Sequence, residues 1–210
     1  MQEFLWNYPE GMTDPSRPPA DSRADLRDPG PMRALAHPAR LRILGILRLD
    51  GPATVGALAR ATGEAPGAVS YHVATLAKHG LIEEAPELAR DRRERWWRAA
   101  HARTSWDAAD ALGDPARHAA SDALRRTVLE SYQAELLAAL AAEASLETEW
   151  IAASDSSDGA ANLTIEEFRE LAADLAAVHA KWLGRGRDRE PGGEVRTVRW
   201  ITHAFPRSGA

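Results

Sequence analysis

Pro66-Gly67-Ala68-Val69-Ser70-Tyr71-His72-Val73-Ala74-Thr75-Leu76-Ala77-Lys78-His79-Gly80-Leu81-Ile82 is the stretch that decides how this chain folds. Proline suits a first helical turn, where its missing N–H would lack a partner anyway, and Gly80 suits the stop. Between them Val69, Val73 and Leu76 recur at steps of four and three, one buried stripe of a helix. The opposite side presents Gly67, Ser70, Tyr71, Ala74, Thr75 and Lys78, with His72 at the border of the stripe.

The neighbouring residues extend the pattern in both directions. Upstream, Pro38 biases His37 away from helical geometry and itself suits a first helical position. A short helix to about Ala36 is therefore followed by one from Pro38, with Leu41, Leu44 and Leu47/Leu49 at helical spacing, ended by Asp50-Gly51-Pro52. Thr54 can cap a third helix over 55–62, with Val55, Leu58 and Ala59 inward and Gly63 as its stop. Downstream, Leu81-Ile82-Glu83-Glu84 and Arg95-Trp96-Trp97-Arg98-Ala99 read as two hairpin strands. Trp96 and Trp97 face opposite sides of their strand, so one of them packs into the core. The hairpin tip carries Arg90, Arg92, Arg93 and Arg95.

Two short helices joined by a tight turn are a helix-turn-helix arrangement, and a hairpin after the second helix is a wing. In that arrangement small residues bring the second helix close to base edges, while hydroxyls and Lys78 meet bases or phosphates. The candidate DNA-binding residues are Gly67, Ser70, Tyr71, His72, Thr75 and Lys78 on the helix and Arg90, Arg92, Arg93 and Arg95 on the wing. Wing arginines suit phosphates or a narrow minor groove. For His72 a packing role or a phosphate contact fits better than base readout.

The run Ala34-Leu35-Ala36-His37-Pro38-Ala39-Arg40-Leu41-Arg42-Ile43-Leu44 resembles the opening helix pair of ArsR-type winged-helix repressors. Residues 69–82 resemble the reading helix of that family, and Arg92-Arg93-Glu94-Arg95-Trp96-Trp97-Arg98 its wing. The resemblance spans about residues 32–100. It implies a dimeric, effector-controlled regulator on a double-stranded DNA operator, with a longer C-terminal part than the small metal-sensing members have. A cysteine metal box is excluded, because the chain has no cysteine. Asp114, His118, Asp122 and His179 are superficially suited to a metal, but the paired-histidine spacing of such sites is missing. The expectation is no metal and no cofactor.

Composition agrees with this division. The net charge is −5, yet residues 32–100 hold 11 Lys+Arg against 7 Asp+Glu while residues 101–194 hold 9 against 18. A basic module joined to an acidic partner or sensor module has this asymmetry. The expected organisation is a flexible arm over 1–31, a winged helix-turn-helix over 32–100, and a helical dimerisation or sensor region over 101–210. The fold class is mainly α with a small β-wing, with long C-terminal helices for dimerisation.

Leu124, Val128, Tyr132, Leu136 and Leu140 predict one long helix over 114–152. Ile165, Phe168, Leu171, Leu175, Val178 and Trp182 predict another, opened by a Thr164/Glu167 capping box. Residues 195–205 read as a terminal strand, a candidate wall for an effector pocket with Trp106, Trp150 or Trp182.

The leading functional expectation is a cytoplasmic, dimeric repressor released by an effector, with no membrane segment. The alternative is a winged helix that docks a protein partner through its acidic helices. No phosphate-cradling glycine loop, nucleophile motif or paired carboxylates point to an enzyme.

Overall fold

The computed structural model describes residues 22–91, 94–106, 109–186 and 192–207, with Pro18 and Arg189, and the backbone of residues 2–4. In chain order the elements are β1 Gln2–Phe4, β2 Arg23–Asp25, α1 Pro29–Leu35, α2 Pro38–Leu49, β3 Ala53–Thr54, α3 Val55–Thr62, α4 Pro66–Lys78, β4 Ile82–Glu84, β5 Trp96–Ala99, β6 Arg103–Trp106, α5 Pro115–Ala142, α6 Thr148–Ala153 and α7 Ile165–Gly186. This is the expected α+β winged helix followed by long helices. The chain divides into two compact units, Met1–Ser131 and Tyr132–Ala210.

In the first unit, local chemistry sets each helix boundary. His37 is extended (φ −145°), and its Nδ1 accepts the Ala39 N–H at 3.2 Å as an N-cap for α2. Thr54 Oγ1 accepts the Ala57 N–H at 3.2 Å and caps α3. Gly63 ends α3 at φ +76°, a left-handed conformation that costs glycine nothing. Arg42 of α2 donates to the Ala61 and Thr62 carbonyls, satisfying the open end of α3. Ile43, Leu44 and Leu47 of α2, Leu58 of α3, and Val69, Val73 and Leu76 of α4 form the core on which these helices converge.

The wing is an antiparallel sheet in the order β3-β5-β4, with Trp97 opposite both Ala53 and Glu84. Trp97 is the inward tryptophan, at 7% exposure, and Trp96 is half-buried on the other face.

A second sheet runs β1-β6-β2, with β6 antiparallel to β1 and parallel to β2. Thus part of the N-terminal segment expected as an arm pairs with β6. Thr104, Ser105 and Trp106 of β6 are all buried in succession. Arg48, at 1% exposure, donates from Nη2 to Thr104 Oγ1 (2.7 Å) and from Nε to the His101 carbonyl (3.0 Å), tying α2 to this sheet.

The second unit departs from expectation in two places. The single helix expected over 114–152 is α5, a 3₁₀ turn at Glu143–Ser145, and then α6. The expected terminal strand over 195–205 is absent: apart from one bridge between Gly192 and Val195, residues 196–207 have no regular secondary structure. A strand pattern becomes a strand only where an edge offers backbone partners. Here side chains tether the segment instead. Arg196 pairs with Glu147 and lies 5.5 Å over the Trp150 ring, and Arg199 pairs with Glu135 (3.1 Å) and lies 5.5 Å over the Tyr132 ring. His203 packs on Tyr132, and Thr202 meets His179 at 3.0 Å.

The predicted capping box of α7 is present. Glu167 Oε2 accepts the Thr164 N–H (2.7 Å) and Thr164 Oγ1 accepts the Glu167 N–H (3.2 Å). Among the described residues, no helix is long and apolar enough to cross a membrane.

Candidate nucleic-acid interface

Helix α4 is amphipathic in the sense its sequence predicts. Val69, Val73 and Leu76 are buried, while Gly67, Ser70, Tyr71, Ala74 and Lys78 are exposed and Thr75 is half-exposed. Among the described residues, a Cβ built on Gly67 would meet nothing within 4 Å, so no packing against them calls for its small size. The Thr75 hydroxyl donates to the Tyr71 carbonyl (2.9 Å), which leaves only its lone pairs for a partner.

His72 does not share the outward face. It is 8% exposed, its ring centroid is 4.7 Å from that of His37, and its Nε2 is 3.4 Å from Glu64 Oε2. It therefore packs between the cap of α2 and the turn that precedes α4. Burial first, and then Arg40 and His72 nearby, hold the His37 imidazole below its usual pKa.

On the wing, Arg90 and Arg95 are exposed, whereas Arg92 and Arg93 lie outside the described residues. Glu94 Oε2 accepts the Arg90 N–H (3.0 Å), and Asp91 Oδ1 accepts the Glu94 N–H (3.1 Å), closing the tip. The Arg95 guanidinium lies 5.0 Å over the Trp97 ring and is ion-paired to Glu84 across the strands. Arg98, half-buried, pairs with Glu83 (2.7 Å) and with Glu87, and these hydrogen bonds raise its pKa.

Between α4 and the wing lies a cleft of about 460 Å³, bordered by Thr54 and Gly56 at the start of α3, Ser70 and Ala74 of α4, and Arg95 and Trp97. Of the residues named from the sequence, Ser70 and Arg95 border this cleft; Trp97 as the platform and Glu84 as the partner were not named. Register pairs Glu83 with Arg98, but Glu84 stands opposite Trp97 and reaches Arg95 diagonally, so register alone did not announce that pair.

Residues 35–85 match the helix-turn-helix domain family. The match begins at the last residue of α1 and covers α2, α3, α4 and β4, so it holds the α4 face but not the wing tip. No curated protein matches the chain significantly.

The helix-turn-helix proper is α3 and α4, joined by the turn Gly63-Glu64-Ala65. Its second helix presents the polar face and buries the apolar one, the orientation in which such a helix enters a groove. The superficially metal-suited carboxylates have other partners. Asp114 Oδ1 accepts the Ala116 and Arg117 N–H groups, and Asp122 pairs with Arg126. Among the described residues, no group of three or more His, Cys, Asp or Glu side chains can hold a metal ion.

Proposed function

We propose that this chain is a sequence-specific, double-stranded-DNA-binding transcription regulator of the ArsR type, acting as a homodimeric repressor that an effector releases. The reading is of a binding protein, not an enzyme. One observation carries it: the exposed face of α4, with Ser70, Tyr71 and Lys78 beside an open Gly67, stands next to the wing across a cleft. Residues of these types contact base edges and phosphates.

The second unit supports the homodimer. None of its described residues is fully buried, and Leu136, Leu137, Leu140, Ile165, Val178 and Trp182 are each exposed. Apolar surface on this scale favours a partner, and a two-fold pairing is the commonest solution. Light scattering on the purified protein is expected to give twice the 22.8 kDa chain mass; a monomer at micromolar concentration removes the dimer.

The deciding experiment is fluorescence anisotropy on the duplex upstream of its own gene, titrated with salt and random competitor. Tight binding that survives competitor is expected. Binding that competitor abolishes would favour a winged helix that docks a protein.

A further inference from the structure

The wing is not basic. Residues 83–98 hold five arginines and five acidic residues, Glu83, Glu84, Glu87, Asp91 and Glu94, so the hairpin sequence is neutral. Two of its arginines are ion-paired within it: Arg98 with Glu83 and Glu87, Arg95 with Glu84. Only Arg95 of these two borders the cleft beside α4, and Glu94 places a carboxylate on the same cleft. A phosphodiester strand entering there meets a cation already engaged and a negative charge beside it.

The Arg95–Glu84 pair is well placed to open. Both side chains are exposed, at 63% and 45%, and exposed ion pairs are weak. Trp97 lies under the Arg95 guanidinium at 5.0 Å, and stacking leaves the guanidinium N–H edges free for a planar or tetrahedral oxyanion. Without Glu84, Arg95 keeps its platform on the cleft wall. Arg98 lacks this arrangement, since it is half-buried, has two carboxylate partners and does not border the cleft.

We propose that Glu84 restrains DNA binding at this cleft: it engages Arg95, so a backbone phosphate gains that cation only by displacing the Glu84 carboxylate. The inference rests on the DNA reading above and assigns it a restraining residue. The neutral wing keeps affinity for arbitrary duplex low, because non-specific binding comes from phosphate contacts. Base contacts from α4 supply what the exchange costs on the correct sequence.

The test is anisotropy of the full chain on a 30-bp duplex of random sequence, at salt from 50 to 200 mM. Glu84→Gln is expected to bind up to about fivefold more tightly at the low-salt end, the ceiling for releasing an exposed ion pair. Its salt dependence should steepen by about 0.9, one further phosphate contact, so the advantage shrinks roughly 3.5-fold by 200 mM.

Glu84→Gln/Arg95→Ala is expected to lose the whole gain. Glu83→Gln is expected to stay close to wild type, since Arg98 keeps Glu87. Wild-type behaviour of Glu84→Gln overturns the proposal. So does a gain that persists without Arg95, or an equal gain from Glu83→Gln, because either reduces the effect to simple removal of negative charge. If no variant and no wild-type protein binds any duplex, the DNA reading itself falls; duplex binding with no Glu84 effect refutes the restraint alone.

Discussion

Tyr71→Ala separates the interface from the fold. Tyr71 is 66% exposed on α4, and among the described residues its ring meets the edge of His72 at 5.7 Å. Truncation loses that edge contact, about 0.5 kcal/mol at an exposed site, while alanine returns roughly as much in helix propensity. The net change in stability is within about 0.5 kcal/mol, a shift of roughly 2 °C in melting midpoint for a unit of this size. If the side chain reaches a base edge, its loss costs about 1–3 kcal/mol of binding, roughly a 5- to 150-fold weaker complex. The assay pairs a circular-dichroism melt with anisotropy on the upstream duplex at fixed salt. Binding within twofold of wild type, in a protein with an unchanged melt, would refute the assignment of this face to DNA. A midpoint lowered by more than about 5 °C would show instead that Tyr71 is structural.

Three further outcomes are expected. Leu76→Ala, at a side chain with no exposure, should destabilise the first unit by about 3 kcal/mol with its cavity, read by urea or thermal unfolding; a loss under about 1 kcal/mol would contradict the core described. His37 is held below its usual 6.5 by burial, then Arg40 and His72, against an opposing Glu64, so the fold favours its neutral form. That stabilisation is complete above pH 6.5 and is lost as pH falls through the lower folded value, so the first unit should melt lower at pH 5 than at pH 7.5. His37→Asn keeps an N-cap oxygen and should flatten that dependence; an unchanged pH slope would disprove it. Burial pushes the Tyr132 phenol up to about 12, despite Arg199 nearby, so the second unit gains stability below pH 10 that disappears between 10 and 12. Absorbance at the tyrosinate band should show one of the chain's three tyrosines ionising late, and three coincident titrations would rule this out.

The helix-turn-helix was legible because its boundaries are set locally. Pro38, Thr54, Gly63, Pro66 and Gly80 each dictate backbone geometry within a residue or two, and α2, α3 and α4 begin and end where those residues require. The candidate face of α4 was equally legible from a three-four stripe. What failed depended on distant partners. Arg103-Thr104-Ser105-Trp106 shows no alternation because successive residues on both faces of β6 are buried, and nothing local announces that residues 2–4 and 23–25 supply its edges. Conversely, residues 195–205 are rich in strand-forming side chains, with apolar and polar residues mixed on both faces, but among the described residues they join no strand edge. His72 sat at the border of its stripe, and burial against His37 was decided by where α2 begins.

The tethering of residues 192–207 has a practical consequence. Its side-chain contacts are two arginine–carboxylate pairs with exposed or half-exposed side chains, the rings beneath the arginines, His203 on Tyr132, Trp200 against His179 and one hydroxyl–imidazole contact. Exposed pairs weaken as counterions crowd in, whereas a backbone ladder or a buried stripe does not. Dissolved salt should therefore loosen this tail well before it touches any helix, and a protease added in concentrated brine would find the tail first. Ionic strength acts on the two ion pairs that hold residues 192–207 and not on the helices beside them.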